Sequence, residues 1–276
     1  MSGDFESWIG HSVMREDLVT ARLVSEYRAI FDPYLFKPGD HRDCPAGLHW
    51  GLAPAMPGMT GLGLDGTEAK GGFLPPIALP RRMWAGGGVE SFAPIRLGME
   101  ITRVSTISGI KMRDGRSGPL GFISVIHEIK SGGALLVRER QNLVFRDGKP
   151  KPAAPVPLVD AVNSDVEWSV KPSPVLLFRF SAFTFNGHRI HYDLPHAVET
   201  EGYEGLVVHG PLQAALLLNQ ASAALGHVPR RFEYRCLAPL IAGPAITVAS
   251  RRDASNILSR IVDHRGVVTS EATAIA

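Results

Sequence analysis

The sequence is poor in cysteine, in long apolar runs and in blocks of like charge. Its two cysteines lie far apart among 276 residues, which excludes a disulfide framework and is typical of a reducing compartment. Lysine and arginine number 29 against 27 aspartate and glutamate, with no dense basic run, so no nucleic-acid partner is expected. The most apolar stretch, Pro211–Leu225, contains three amides and is too short to span a bilayer. The acidic N-terminus lacks an apolar signal segment, and we expect a cytoplasmic protein with no membrane partner.

An internal repeat divides the chain. Phe92–Thr102 (FAPIRLGMEIT) and Leu237–Thr247 (LAPLIAGPAIT) are identical at five of eleven positions. Each copy leads into three strand-like runs separated by turn residues, at residues 101–107, 120–129 and 134–145 and at residues 246–250, 257–262 and 267–275. A proline-rich stretch lies between the two meanders. We predict an N-terminal domain of residues 1–147, an extended linker of residues 148–165 and a C-terminal domain of residues 166–276.

One helix dominates the second half. Gly210 and Pro211 suit a helix start and Gly226 suits its end. The residues between are apolar on nearly every face, so this helix must be buried. A curled antiparallel sheet wrapped around one central helix meets that demand, and the repeat predicts two such units, an α+β double hotdog. In the first half only Ala46–Met56 suggests a central helix, which prolines limit, so we predict a degenerate one there. A separate helix is predicted at Thr20–Phe31.

Five of the ten histidines fall between residues 188 and 227, beside this helix. Histidine titrates nearest neutral pH, so the cluster predicts an acid–base site. We expect His196 and His227 to make loop hydrogen bonds and His191 to take part in chemistry. The helix start offers a second function, because its N–H groups lack intrahelical partners and its dipole favours negative charge. Gly210 would let a thioester carbonyl approach the backbone closely, although a good helix start explains the same residues.

Longer motifs give the chain a resemblance to a known family. Residues 180–193 read FSAFTFNGHRIHYD and residues 201–210 read EGYEGLVVHG; the first half has LPRRMWAGG at residues 79–87 and GRSGP at residues 115–119. These motifs resemble the MaoC-like dehydratases and R-specific enoyl-CoA hydratases. The resemblance is closest to a double-hotdog branch with mesaconyl-CoA hydratase-like proteins and mitochondrial-type 3-hydroxyacyl-thioester dehydratases. It covers nearly the whole chain and implies a hydro-lyase that adds water to an enoyl thioester, or removes it in reverse.

The resemblance also implies site residues, with one departure from the family pattern. We assign His191 as the base, the Gly210 N–H as the group that binds the enolate oxygen, and His188 as a further contact to water or substrate. The position of the family's catalytic aspartate is Asn186 here, and an amide cannot take up a proton as a carboxylate does. Either His191 is the sole base and Asn186 orients the water, or Asp193 or another carboxylate serves instead.

A second set of residues is predicted to bind the substrate. The arginines fit a CoA phosphate or a substrate carboxylate, or else they are solvated surface charges. The tryptophan fits an acyl-pocket wall or ordinary core. The predicted set is His209, Tyr192, Asp193, Trp84, Arg81, Arg82 and Arg231.

The expected substrate is a short branched or dicarboxylic acyl-CoA such as mesaconyl- or itaconyl-CoA, with coenzyme A as part of the substrate, no further cofactor and no metal. A fatty-acid-type 3-hydroxyacyl-CoA or acyl carrier protein dehydratase is the alternative, and a homodimer is expected. Three rival functions stay open. A hotdog thioesterase would need a carboxylate or nucleophile at the helix start. A zinc site on His188, His191 and His209 lacks a supporting carboxylate. A binding module without catalysis would follow if loss of the aspartate abolished the chemistry.

Overall fold

The computed structural model describes residues 5–115, 118–148 and 164–275. Its ten strands form one antiparallel sheet in the order β1-β3-β4-β5-β2-β7-β10-β9-β8-β6. From the centre outward both halves follow the same order, because each strand of the second half corresponds to the strand five places earlier. The duplication predicted from the repeat is therefore confirmed. The predicted linker lies almost wholly outside the described residues, as do Arg116 and Ser117 of the GRSGP motif, so the domain bounds stay a prediction.

The strands of the first half are β1 (Ser12–Leu18), β2 (Arg81–Ser91), β3 (Glu100–Gly115), β4 (Gly118–Ser131) and β5 (Ala134–Arg146). Those of the second half are β6 (Val166–Val170), β7 (Arg231–Cys236), β8 (Ile246–Asp253), β9 (Asn256–Val262) and β10 (Val268–Ile275). The α-helices are α1 (Ala21–Phe31), α2 (Pro174–Thr184) and α3 (Gly210–Leu225). Shorter elements are the 3-10 turns Glu6–Trp8, Leu48–Gly51, Met59–Gly61 and Arg189–His191 and the π-helical turn His196–Thr200. The six predicted meander strands and the helix predicted at residues 20–31 are confirmed.

The central helix of the second half is α3. Twelve of its residues are buried, and it packs on β8, β9 and β10. Pro211 lies in its first turn and Gly226 ends it with φ +81°, as the sequence predicts. At the same place in the first half, after β1 and α1 and before β2, lie two short 3-10 turns, Leu48–Gly51 and Met59–Gly61, and no α-helix. The degenerate N-terminal helix is therefore confirmed.

The two halves join through the antiparallel pairing of β2 with β7. The glycines of the AGGG segment permit this pairing, because a Cβ at Gly86 would stand 2.4 Å from the carbonyl oxygen of Tyr234 on β7. Gly86 also has φ +143°, which side chains disfavour. Just before these glycines, Trp84 donates its Nε1–H to the hydroxyl of Tyr234 on β7 at 2.9 Å. The glycine-rich junction thus places a tryptophan of the first half at the start of α3.

One hydrophobic core extends through both halves. Tyr27 of α1 packs on Phe183 of α2 with ring centroids 5.3 Å apart. Asn219 of α3 is fully buried; its amide donates to the Ala46 carbonyl at 3.0 Å and accepts from the Phe36 N–H at 3.1 Å. These hydrogen bonds of the Asn219 side chain tie the central helix to the loop of the first half. In the described ranges, no helix is long and apolar enough to cross a membrane.

Candidate active site

The candidate site is a cavity of about 290 Å³ at the start of α3, lined by residues of both halves. Its volume lies at the small end of the ~300–1,000 Å³ range of ligand pockets. Six of the predicted site residues line it: Trp84, Arg82, Asn186, His188, His191 and Gly210. Residues of the first half that the sequence analysis did not single out also line it, among them Trp50, Arg103 and Gln141.

The segment that carries the histidines begins where α2 ends. Phe185 adopts a left-handed conformation, φ +51°, which turns the chain out of the helix. The N–H of Asn186 then bonds the Ser181 carbonyl at 2.8 Å. Its side-chain Oδ1 accepts the N–H of His188 at 3.0 Å, a local turn typical of asparagine. A 3-10 turn of residues 189–191 follows directly and brings its last ring to the cavity.

His191 is held in one tautomer by the backbone. Its Nδ1 lies 2.7 Å from the carbonyl oxygen of Val207. A carbonyl only accepts, so Nδ1 carries the proton and Nε2 keeps an acceptor lone pair. Burial lowers the pKa of His191 to about 4, and the Arg82 cation lowers it further against the opposing Val207 hydrogen bond. At neutral pH the ring is therefore a neutral imidazole that can accept a proton.

His209 and His188 flank that ring. His209 stacks on His191 with centroids 3.5 Å apart and planes at 20°, and His188 meets it edge-on at 5.4 Å and 84°. Burial is the main cause that lowers the pKa of both flanking histidines well below the usual value, followed by the charge of neighbouring histidines. His209 is fully buried, bonds the Ser181 hydroxyl at 2.8 Å and does not line the cavity. It supports the His191 ring, where the sequence analysis expected a substrate contact.

Asn186 presents a donor to the cavity. Its Oδ1 is engaged by the His188 N–H, which orients the amide because a backbone N–H can only donate. The two hydrogens of Nδ2 are then the groups left for a ligand. A donor can hold a water oxygen but cannot take its proton. This geometry fits the alternative in which His191 is the sole base and Asn186 orients the water.

The start of α3 lies against Trp84. The N–H of Gly210 is in the first turn of the helix, where no intrahelical acceptor exists. A Cβ at Gly210 would stand 3.0 Å from the indole of Trp84. The absence of a side chain thus lets the indole pack on the helix start, and both residues line the cavity. Trp84 is a wall of the cavity, as the sequence analysis allowed.

Arg82 brings a cation to the histidines. Its charge contributes to the lowered pKa of both His188 and His191. Burial lowers its own pKa, which the charges of Asp65 and Glu68 oppose. Among the described residues, Arg82 forms no ion pair. Its guanidinium also makes no hydrogen bond to any of them. Arg82 is partly buried, and a cation that lines a cavity without a direct protein partner suits an anionic group of a ligand.

The other two predicted arginines lie outside the cavity. Arg81 forms an ion pair with Glu201 at 3.1 Å and donates to the Thr200 carbonyl at 3.2 Å. Arg231 is half exposed and forms an ion pair with Glu233 at 3.0 Å. Both charges are matched by nearby carboxylates, so we revise their predicted role from substrate contact to structural support.

Tyr192 and Asp193 also lie outside the lining of the cavity. The Tyr192 ring is exposed and its hydroxyl donates to the Gly187 carbonyl at 3.1 Å. Asp193 forms an ion pair with Arg189 at 2.7 Å and accepts the N–H of His196 at 3.1 Å. The hydrogen bond from Arg189 lowers the pKa of Asp193. This carboxylate holds the loop together and is not placed to replace the family's catalytic aspartate.

The first half supplies cavity residues that the sequence analysis missed. Trp50, in the 3-10 turn, donates its Nε1–H to Glu139 at 2.9 Å. Glu139 is almost fully buried on β5, and burial raises its pKa. The Arg103 cation acts in the opposite direction and lowers the pKa of Glu139, and Gln141 bonds His127 at 2.8 Å. Charged residues at inward positions of the apolar strands β3 to β5 were the sequence signal for this cluster.

The rival zinc site considered in the sequence analysis would need free ring nitrogens on His188, His191 and His209. No group of three histidine, cysteine, aspartate or glutamate side chains in the described part of the chain is arranged to hold a metal ion. Nδ1 of His191 and Nε2 of His209 are both occupied by hydrogen bonds to protein atoms. The three histidines are therefore organised by protein contacts, with one ring stacked on another.

Comparisons with known proteins agree with this fold. A sequence profile described as hydroxyacyl-thioester dehydratase type 2 matches residues 47–242, more than half of the chain. Among solved structures, HtdX of Mycobacterium tuberculosis superposes with a TM-score of 0.66 at 16% identity, covering 95% of this chain and 98% of that one. A second protein of that organism, described as having a double hotdog fold, gives 0.57 at 14% identity over 97% and 96%. These structures confirm the double hotdog.

A curated relative is much closer in sequence. The mesaconyl-C(4)-CoA hydratase of Chloroflexus aurantiacus is 40% identical over 241 residues, which are 87% of this chain and 86% of the relative. The match therefore includes both halves and the histidine segment. The chain belongs to the hydroxyacyl-thioester dehydratase type 2 family and is a MaoC-like double-hotdog hydro-lyase.

Proposed function

We propose that this enzyme adds water to a short enoyl-CoA that bears a carboxylate on its β-carbon, as mesaconyl-C4-CoA does. The observation that carries the proposal is Arg82, a partly buried guanidinium without a direct partner among the described residues, which lines a small cavity beside His188 and His191. Water attacks the β-carbon, so a carboxylate on that carbon must lie near the base. The relation to a mesaconyl-C(4)-CoA hydratase supports the same substrate class.

The proposed chemistry starts from a neutral His191. Asn186 Nδ2 holds the oxygen of a water, and Nε2 of His191 takes one of its protons as the oxygen bonds to the β-carbon. The π electrons move to the thioester oxygen. The resulting enolate oxygen accepts a hydrogen bond from the N–H of Gly210 at the positive end of α3. The enolate then collapses, and the proton on His191 passes to the α-carbon, which regenerates the base. Dehydration is the same sequence in reverse.

In this scheme coenzyme A is the carrier and enters as part of the substrate. The scheme uses no other group, because the base, the amide that holds the water and the N–H that binds the enolate oxygen all come from the chain. His188 is proposed to contact the water or the substrate carboxylate beside Arg82. The cytoplasmic location and the homodimer stay predictions.

The test compares a carboxylated with a neutral substrate. Hydration of mesaconyl-C4-CoA and crotonyl-CoA is followed by loss of conjugated-enoyl absorbance in the wild type and in Arg82→Gln. Removing one partner of a buried charge pair costs ~2–5 kcal/mol, so we expect kcat/KM to fall about 100-fold for mesaconyl-C4-CoA and less than about 5-fold for crotonyl-CoA. Equal losses on both substrates would contradict the carboxylate assignment.

A matched control keeps this comparison clean. Arg231→Gln removes a cation from a neighbouring strand that is already paired with Glu233, so both rates should stay near wild type. Release of free thiol is measured in the same samples with a thiol reagent. Thiol release without loss of the enoyl group would support the rival thioesterase.

A further inference from the structure

A second cavity lies behind one wall of the reaction cavity. It has a volume of about 350 Å³ and is lined by Leu48 and His49 of the 3-10 turn, with Val89, Val137 and Leu218 among its apolar neighbours. The next residue of the turn, Trp50, lines the reaction cavity instead. A single turn of helix thus contributes consecutive residues to two cavities and is a wall that both share.

The wall is rigid because its ring is fixed on three sides. Trp50 is 6% exposed and its Nε1–H bonds Glu139 at 2.9 Å. The His49 ring packs on the indole with centroids 4.3 Å apart, and Tyr234 meets it edge-on at 6.5 Å and 89°. An indole with its one donor satisfied and both sides in contact has little freedom to swing aside.

The second cavity suits an alkyl chain. Most of its lining is apolar, and burial lowers the pKa of His49 to about 3, so this ring is neutral at neutral pH. Volume to accept the far end of a longer acyl chain therefore exists beside the reaction cavity. The indole of Trp50 closes the way to it.

We infer that Trp50 sets the upper limit of acyl-chain length by separating the reaction cavity from the apolar second cavity. The inference rests on the proposed function, since it concerns the substrate of the same site. Each buried methylene is worth ~0.8 kcal/mol, or about fourfold in binding. Opening the wall should thus favour long chains steeply once the second cavity is reached.

The experiment measures kcat/KM for a series of neutral trans-2-enoyl-CoAs from crotonyl to octenoyl. We expect the wild type to lose activity beyond the shortest members. Trp50→Ala should raise the octenoyl-to-crotonyl ratio at least about 10-fold. Trp50→Phe keeps a ring but loses the bond to Glu139, and it should keep the wild-type limit. A wild type that hydrates octenoyl-CoA well, or a folded Trp50→Ala with an unchanged ratio, would overturn the inference.

A second-site variant separates a new channel from a loosened site. Leu218 lines the second cavity from α3, so Leu218→Phe should narrow it. Added to Trp50→Ala, it should return the octenoyl-to-crotonyl ratio toward the wild-type value. If the double variant keeps the gain, the extra chain lies elsewhere and the assignment of the second cavity is wrong.

Binding of saturated acyl-CoAs tests the wall without chemistry. Calorimetry with butanoyl- and octanoyl-CoA should show a gain in octanoyl affinity for Trp50→Ala over wild type. A protein that hydrates no carboxylated enoyl-CoA but shows this gain would contradict the proposed substrate and support the wall. The opposite outcome, hydration of mesaconyl-C4-CoA with no gain in octanoyl affinity, would keep the proposed function and overturn the inference.

Discussion

The helix α3 and the 3-10 turn Leu48–Gly51 occupy the same place in the two halves, yet they supply different things to the active site. The helix supplies a free backbone N–H at Gly210 and a buried partner, His209, stacked at 3.5 Å on His191. The turn is too short to act as a central helix, and the side chain of its Trp50 forms a wall of the cavity. The two halves thus have equivalent positions, one filled by a full helix and the other by a single turn beside a cavity.

This difference shows how a repeated fold can divide one task. A full central helix is needed where a dipole and an N–H must face developing negative charge. The other position is free to shape the acyl site, because the sheet is already stabilised by its continuity through β2 and β7. The proposed chemistry therefore lies in the second half and the proposed substrate selection in the first.

The largest expected effect separates the histidines of the two halves. His191→Gln removes the proposed base and should lower the hydration rate by about 10³-fold, within the ~10²–10⁴ range of general acid–base help. His127→Gln changes an equally buried histidine of the first half, which bonds Ser105 and Gln141 at 2.8 Å. It should cost stability and leave kcat within a few-fold. Near-full hydration by a folded His191→Gln variant would remove His191 from the mechanism.

The next comparison replaces a glycine in each of the two equivalent elements. A Cβ at Gly51 would lie 2.2 Å from the ring of Phe183, so Gly51→Ala should cost ~2–3 kcal/mol of unfolding free energy by overpacking. At Gly210 the nearest contact, with Trp84, would be 3.0 Å. Gly210→Ala should cost about 1 kcal/mol but lower kcat about tenfold by displacing the oxyanion donor. Urea unfolding and initial rates measure both; equal kcat losses would break the proposed division of roles.

The smallest effect is a shift in pH dependence. With its pKa at about 4, His191 stays neutral down to that value, so kcat/KM should hold at pH 5 and fall only as the pH approaches 4. Arg82→Gln removes a cation that disfavours the protonated ring, so the acid limb should move to higher pH. Arg103 lowers the pKa of His49 and His127 instead, and Arg103→Gln should leave the limb in place. A pH–rate profile of the three proteins decides between these outcomes.

The lowered pKa of His191 also makes the free energy of unfolding depend on pH. The unfolded pKa of histidine is ~6.5, so between pH 6.5 and 4 the unfolded chain takes up a proton at His191 that the folded chain does not. The free energy of unfolding therefore falls as the pH is lowered through that window, by at most about 1.4 kcal/mol per pH unit for this residue. Above pH 6.5 His191 is unprotonated in both states, and this loss of stability is absent. Urea midpoints at pH 5 and pH 7.5 should show the loss.

The duplicated sheet, the bounds of α3 and the residues Asn186, His188 and His191 could all be predicted from the amino-acid sequence. These features are local: periodicity, turn residues and contiguous motifs specify them, so no knowledge of distant contacts is needed. The expectation that the first central helix is degenerate also came from local signals, since prolines surround it.

Which neighbours of those motifs reach the cavity could not be predicted in this way, because it depends on the three-dimensional arrangement of the strands. Arg81 and Arg82 are adjacent on β2, and successive side chains on a strand point to opposite faces. One therefore pairs with Glu201 and the other lines the cavity, a choice that depends on register and not on residue type. The bond from Trp50 to Glu139 joins residues 89 positions apart. Such contacts are set by how the sheet closes around its helix, which no local pattern encodes.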